Sequence, residues 1–80
     1  MNLVFYSRTG CHLCEQAFSE LNRFLAGCSP PIGVDMVDVD SCPGLQARYG
    51  DKVPVIEAAG NELCRYFFDE DRVRDFLSRP

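Results

Sequence analysis

A short apolar run, Leu3-Val4-Phe5-Tyr6, ends at Ser7-Arg8-Thr9-Gly10, and Cys11-His12-Leu13-Cys14 then opens a long stretch of helical periodicity. Four consecutive strand formers, too few for a helix, suit a strand buried on both faces and therefore central in a sheet. From Cys11 onward Cys14, Phe18, Leu21 and Leu25 recur at helical spacing, Leu13, Ala17 and Phe24 widen the stripe, and Glu15, Ser19, Glu20 and Arg23 are left to water. Gly27 closes this helix. Pro30-Pro31 and Gly33 turn the chain back, and Val34 to Asp40 interleaves apolar and acidic residues as an exposed edge strand does. Strand, helix and strand in this order require a parallel pair with a right-handed crossover.

The remaining segments are as short and as well punctuated. Ser41 or Cys42 can cap a second helix with Pro43 at its first position, ended at Tyr49-Gly50. Val53-Pro54-Val55-Ile56-Glu57 predicts a strand with proline at its start, and Ala59-Gly60-Asn61 a tight turn into a partner strand over Glu62 to Phe67. The last helix starts at Asp69, has Glu70 and Asp71 in its first turn and Arg79 near its end, and turns Val73, Phe76 and Leu77 inward. The expected order is β-α-β-α-β-β-α, an α/β domain over residues 1–80 with a four-stranded mixed sheet flanked by helices. Eighty residues leave room for one shared core and no second domain.

A formal net charge of −4, with no basic run or basic amphipathic face, argues against nucleic acid or an anionic membrane as partner. No apolar run reaches membrane-spanning length, and the start of the chain lacks the pattern of a secretory signal, so a cytoplasmic protein, expected to be a monomer, is the default reading. Five cysteines are many for this length, but an odd number leaves at least one outside any internal disulfide set, and a cytosolic home keeps most of them reduced. Redox or metal chemistry therefore outranks structural stapling.

Cys11 and Cys14 lie within one helical turn, close enough to bond to each other. Cysteine reacts as thiolate, which free N–H groups and the dipole at a helix start stabilise. Cys11 occupies that start and Arg8 can add positive charge, whereas Cys14 falls on the core-facing stripe, so Cys11 is assigned as the attacking thiol and Cys14 as the resolving one. Zinc normally needs two further ligands at short paired spacing, but Cys28, Cys42 and Cys64 are scattered and the single histidine, His12, sits inside the pair. A metal or iron–sulfur module using the same thiolates stays open as an alternative. Asp35, Asp38 and Asp40 do not make a metal cluster, because alternation along a strand puts Asp38 and Asp40 on the face opposite Asp35; they are expected to keep the strand edge soluble.

At these residues the sequence resembles the thioredoxin superfamily and, within it, the glutaredoxin-like branch. The likeness spans nearly the whole chain: the strand before the pair, Arg8-Thr9-Gly10-Cys11-His12-Leu13-Cys14, Val53-Pro54 ahead of a hairpin, and the closing helix. It implies the thioredoxin-like fold, a cis peptide before Pro54, and Val53 offering backbone groups to a thiol substrate. From the residues alone, Pro54 can also start a strand in trans. Thioredoxin itself has Trp before its first cysteine, proline within the pair and a buried carboxylate on the entering strand, none of which occurs here. Glutaredoxins have a basic residue where Arg8 stands, but their usual Pro-Tyr is His12-Leu13, and the glycine pair that lets glutathione approach falls on Cys64-Arg65. Asp69 can stand in for the acidic residue that follows those glycines, its helix-start amides holding a carboxylate. Cys-His-Leu-Cys, Glu62-Leu63-Cys64 and Phe68-Asp69-Glu70 resemble a small glutaredoxin-like family.

The implied activity is that of a thiol-disulfide oxidoreductase acting on a disulfide-containing protein or a small thiol substrate. Electrons would come from a reductase or from glutathione, and no cofactor is expected to be tightly bound; the missing glycines count against glutathione. A thioredoxin-like interaction domain whose cysteines are not turned over is the further alternative. His12 either stabilises the Cys11 thiolate when protonated or is a solvated side chain, and Arg8 either contacts thiolate and substrate or lies on the surface. Lys52 either helps bind an acidic partner or is a charged turn residue. Cys64 can approach the site or fill the core as a small residue, and Cys28 and Cys42 are expected to be inert.

Overall fold

The computed structural model describes residues 2–78. Its elements are β1 (Asn2–Ser7), α1 (His12–Leu25), β2 (Gly33–Asp38), α2 (Pro43–Tyr49), β3 (Val55–Ala58), β4 (Asn61–Arg65) and α3 (Glu70–Leu77), with one 3-10 turn, Val39–Ser41, between β2 and α2. The sheet order is β2-β1-β3-β4, parallel between β1 and β2 and antiparallel elsewhere. The apolar β1 is therefore interior and the acidic β2 lies on an edge, as their compositions require.

Alternation along β1 divides the apolar residues between two cores. Leu3 and Phe5, both fully buried, face Cys14, Ala17 and Leu21 of α1 and Val73 of α3. Tyr6 faces the other way and stacks on Tyr49 of α2 at 4.2 Å between ring centroids, beside Val39 and Val55. On that second face the Tyr49 hydroxyl donates to Glu57, and the Tyr6 hydroxyl reaches the same carboxylate at 3.4 Å. Two helices thus cover one face of the sheet and one the other, which is how a mixed sheet buries both sides in so few residues.

Four expectations need correction. The second strand stops at Asp38 rather than Asp40, because the Asp38 carboxylate accepts the Asp40 N–H at 2.9 Å and the Ser41 hydroxyl donates to the Asp38 carbonyl at 2.6 Å, which winds the chain into the 3-10 turn. Alternation still separates Asp35 from Asp38 but no longer places Asp40. The third strand starts at Val55, and Val53–Pro54 lies before it with a cis peptide bond; Ser29–Pro30 is cis as well. β4 ends at Arg65, because Tyr66 takes a left-handed φ of 73° that a strand cannot continue. Leu13 does not join the buried stripe, since it falls at the stripe's edge in the first helical turn and is 57% exposed. The expectation about Arg79 lies outside the described residues. Among the described residues no helix is long and apolar enough to cross a membrane.

Candidate active site

Gly10 turns the chain from β1 into α1 at φ 75°, a conformation glycine adopts without steric cost. Cys11 then has extended backbone and acts as N-cap of α1: its sulfur accepts the Cys14 N–H at 3.1 Å, and its carbonyl accepts the Glu15 N–H at the same distance. A sulfur in this position satisfies one of the free N–H groups of the helix start and lies at the positive end of the helix dipole. The Cα atoms of Cys11 and Cys14 are 5.2 Å apart and the two sulfurs are joined as a disulfide. The pair is asymmetric, with Cys14 only 3% exposed in the core and Cys11 partly open.

Pairing of Tyr6 with Val55 across β1 and β3 brings the Val53–Pro54 peptide alongside the loop that carries Cys11. Pro54 is fully buried, and its carbonyl accepts the Tyr66 N–H at 2.9 Å, as does the Lys52 carbonyl at 3.1 Å. Val53 packs against the same core cluster as Cys11. Among the described residues no backbone group closes on the Val53 N–H or C=O.

Arg8 follows β1, but its guanidinium is engaged. It meets the Asp40 carboxylate at 3.2 and 3.3 Å and donates to the Gly50 carbonyl at 3.1 Å, tying the loop before Cys11 to the 3-10 turn and to the end of α2. Gln46 donates to the same carboxylate at 2.9 Å, and these two partners, Gln46 first, hold the Asp40 carboxyl below its usual value. His12 is almost fully exposed, with its ring 3.7 Å from Glu15. Lys52 donates to the Arg48 carbonyl in the last turn of α2, a favourable place for a cation at a helix C-terminus.

Asp69 is the N-cap of α3, and its carboxylate accepts the Arg72 N–H at 3.3 Å. Cys64 closes the loop before it: its buried thiol accepts the Asp69 N–H at 3.4 Å and donates to the Asp69 carbonyl at 3.7 Å. Burial pushes that thiol above its ordinary value. Cys64 is thus a structural residue, and the position that by counting matches a glutathione-binding glycine holds a loop together. Cys28 donates to the Phe24 carbonyl at 3.8 Å. Cys42 is exposed, and the N–H groups of Leu45 and Gly44 pull its thiol below the ordinary value, although neither closes a cap bond to the sulfur. Among the described residues no group of three or more His, Cys, Asp or Glu side chains is assembled as a metal ion would need.

Sequence reasoning did not single out Asp40 and Gly50 as partners of Arg8, nor the exposed aromatics Tyr66 and Phe67. The first two come from separate segments with no local signal. The aromatic pair was legible as Arg65-Tyr66-Phe67-Phe68, but it reads there as the end of a strand.

The sequence matches the family described as Glutaredoxin-like domain (DUF836) over residues 2–78. The chain belongs to that family. It is also 37% identical to protein Ne2328 of Nitrosomonas europaea, whose solution structure superposes with a TM-score of 0.80 over 96% of this chain and 91% of that one. A crystal structure of target protein XcR50 from X. campestris gives 35% identity and a TM-score of 0.75, covering 98% and 99% of the two chains. The uncharacterized protein Rv0508 of Mycobacterium tuberculosis is 35% identical over 91% of this chain and 78% of its own length. Thioredoxin 1 of Thermosipho africanus, 15% identical with a TM-score of 0.62 over 96% and 94% of the chains, shares the fold. This glutaredoxin-like domain therefore has the thioredoxin fold with a close Cys-x-x-Cys pair at the start of its first helix.

Proposed function

We propose that the protein is a thiol-disulfide oxidoreductase that cycles Cys11 and Cys14 between dithiol and disulfide. The observation that carries this reading is the Cys14 N–H bonded to the Cys11 sulfur at the helix start, with the Cys14 side chain buried behind it. In the reduced protein the Cys11 thiolate attacks one sulfur of a substrate disulfide; that S–S bond breaks, a mixed disulfide forms and one substrate thiolate leaves. Cys14, deprotonated as it attacks, then displaces the second substrate thiolate and closes the Cys11–Cys14 bond, so two electrons pass to the substrate. The backbone of Val53, which no backbone group among the described residues engages, supports a role in aligning substrate beside Cys11.

Arg8 acts in this reading as a positioning residue, since Asp40 and Gly50 already hold its guanidinium. Asp69 caps α3 and leaves its carboxylate turned to its own helix, and His12 lies in solvent beside Glu15. The substrates are protein disulfides or small disulfides, with glutathione or a reductase as electron donor, and the protein works without a tightly bound cofactor as a cytoplasmic monomer. Mass spectrometry of a non-reducing digest after mild oxidation tests the couple. A Cys11–Cys14 link is expected, together with a stable mixed disulfide on Cys11 in Cys14→Ser; absence of both after oxidation refutes the reading.

A further inference from the structure

All three nitrogens of the Arg8 guanidinium are committed. Nε and one Nη meet the Asp40 carboxylate side-on at 3.3 and 3.2 Å, and the other Nη donates to the Gly50 carbonyl at 3.1 Å. Among the described residues none of them bonds to the Cys11 sulfur, whose hydrogen bond comes from the Cys14 N–H. Cys11 follows Arg8 by three residues, so its Cα lies within about 11 Å. At that distance a carboxylate bound side-on cancels most of the field of the guanidinium.

Both anchors of Arg8 are held independently of it. The Asp40 carboxylate also accepts the Gln46 amide at 2.9 Å, and the Asp40 N–H is fixed by the Asp38 carboxylate at the same distance. Gly50 ends α2 with its N–H on the Gln46 carbonyl at 2.9 Å, and Tyr49 beside it pins the helix to the sheet by stacking on Tyr6 and donating to Glu57. Three residues lead from Gly50 to Val53. The Lys52 N–H on the Tyr49 carbonyl at 2.8 Å and the Tyr66 N–H on the Lys52 carbonyl at 3.1 Å close that turn, so it carries the position of Gly50 to the Val53–Pro54 peptide. Arg8 stands three residues before Cys11 and Gly50 three before Val53. One guanidinium therefore joins the two walls of the site.

We propose that Asp40 is a positioning residue for disulfide exchange: it holds Arg8 as a charge-neutral clamp that sets the gap between Cys11 and Val53. This rests on the oxidoreductase reading and adds a residue that reaches the reaction only through Arg8. A basic residue next to a reactive cysteine ordinarily stabilises the thiolate by its charge. Here the ion pair contributes geometry, and thiolate stabilisation is left to the helix start, where the Cys14 N–H meets the sulfur. Exchange needs the attacking sulfur aligned with the bond it breaks, so a small displacement of either wall slows it. A polypeptide disulfide held against both walls feels the gap, whereas a small disulfide that reaches Cys11 from solvent does not.

The test separates charge from position in full-length parent protein, Arg8→Met, Asp40→Asn and the double variant. Iodoacetamide labelling of Cys11 in the reduced chains is read by peptide mass on the acid limb of its pH profile at low salt, where the rate follows the thiolate fraction. Removing one charge of the pair exposes the other. Asp40→Asn is expected to label about twofold faster than the parent, Arg8→Met about twofold slower, and the double variant at the parent rate. His12 and Glu15 after Cys11, and Lys52 before Val53, are the same in every chain.

Single-turnover oxidation of the reduced chains, followed as the appearance of the Cys11–Cys14 disulfide, then compares insulin with hydroxyethyl disulfide. The double variant should react about tenfold more slowly with insulin and within about twofold of the parent with the small disulfide. Double-variant labelling as slow as that of Arg8→Met means that Arg8 acts through its charge and overturns the proposal. Insulin oxidation at the parent rate, or equal slowing of both disulfides, overturns it as well. Arg8→Lys keeps the charge but cannot span Asp40 and Gly50 together. It should label Cys11 as the parent does and react about tenfold more slowly with insulin, and it decides the matter if the double variant leaves Cys64 open to alkylation. If the parent reacts with neither disulfide, the oxidoreductase reading fails and the positioning role with it, whatever the labelling shows.

Discussion

The Arg8 guanidinium is bound by Asp40 at 3.2 and 3.3 Å, across a gap of 32 residues in sequence, and its third contact is the Gly50 carbonyl at 3.1 Å. The loop that presents Cys11 is thereby tied to the 3-10 turn and to the far end of α2, so its position depends on residues distant from it in sequence.

Asp40→Asn tests this tie through pH. Gln46 first and Arg8 second hold the Asp40 carboxyl below its usual value of 3.8. A lowered carboxyl contributes stability that is complete above that value and is lost as the pH falls through the lowered one. Thermal scans between about pH 5 and pH 2 should therefore show a shallower acid decline in Tm for Asp40→Asn than for the parent protein. Superimposable acid limbs would show that the pair does no stabilising work.

Gly50 is sensitive for a steric reason. A Cβ there runs into the Gln46 carbonyl oxygen, a backbone atom that cannot move without distorting the end of α2. Gly50→Ala is expected to cost about 1–3 kcal/mol in urea unfolding. An unchanged midpoint would mean that the end of α2 yields freely.

On the second face of the sheet, Tyr49→Phe removes the hydroxyl that donates to Glu57 and leaves the half-buried carboxylate only the Tyr6 hydroxyl at 3.4 Å. A loss of about 1–3 kcal/mol is expected at neutral pH. Burial first, and the bond to Glu57 second, hold the Tyr49 proton well above the ordinary value of 10.0. A raised group contributes stability that is full below its unfolded value and is lost as the pH rises beyond it. The alkaline decline in Tm should therefore be shallower in Tyr49→Phe, and an equal or steeper decline contradicts the assignment.

Four of the five thiols of the reduced protein should separate in timed alkylation read by peptide mass. Cys11 at its helix start and exposed Cys42, lowered by Leu45 and Gly44, are expected to label first. Cys14, 3% exposed, should lag, and Cys64, 5% exposed and raised by burial, should be last. Labelling of Cys64 as fast as Cys42 would mean that the loop before α3 opens readily.

Much of the architecture was legible because it rests on short-range rules. The stripe of Cys14, Leu21 and Leu25 on α1, the alternation along β1, the proline opening α2 and Asp69 ahead of α3 each report a local preference, and each is found where its pattern lies. The errors fall where a side chain or a turn overrides the pattern: Asp38 bonding ahead to Asp40 ends a strand that the alternation of Val37 and Val39 would have prolonged, and the left-handed Tyr66 stops β4 before its aromatic run does. Leu13 looked like core by spacing, but the core does not reach the first turn of α1.

By itself the sequence determined the order of elements, the position of the two cysteines at a strand-to-helix junction, and the asymmetry that leaves Cys11 partly exposed and buries Cys14. Periodicity, capping and turn chemistry act over a few residues and so can be read along the chain. Only the tertiary structure decided that Arg8 is bound by Asp40 and Gly50, that Cys64 closes the loop to Asp69, and that Leu13 meets Tyr66 and Phe67 beside the pair. Those partners are chosen by strand register and by which helix covers which face, and no local preference of the chain encodes either.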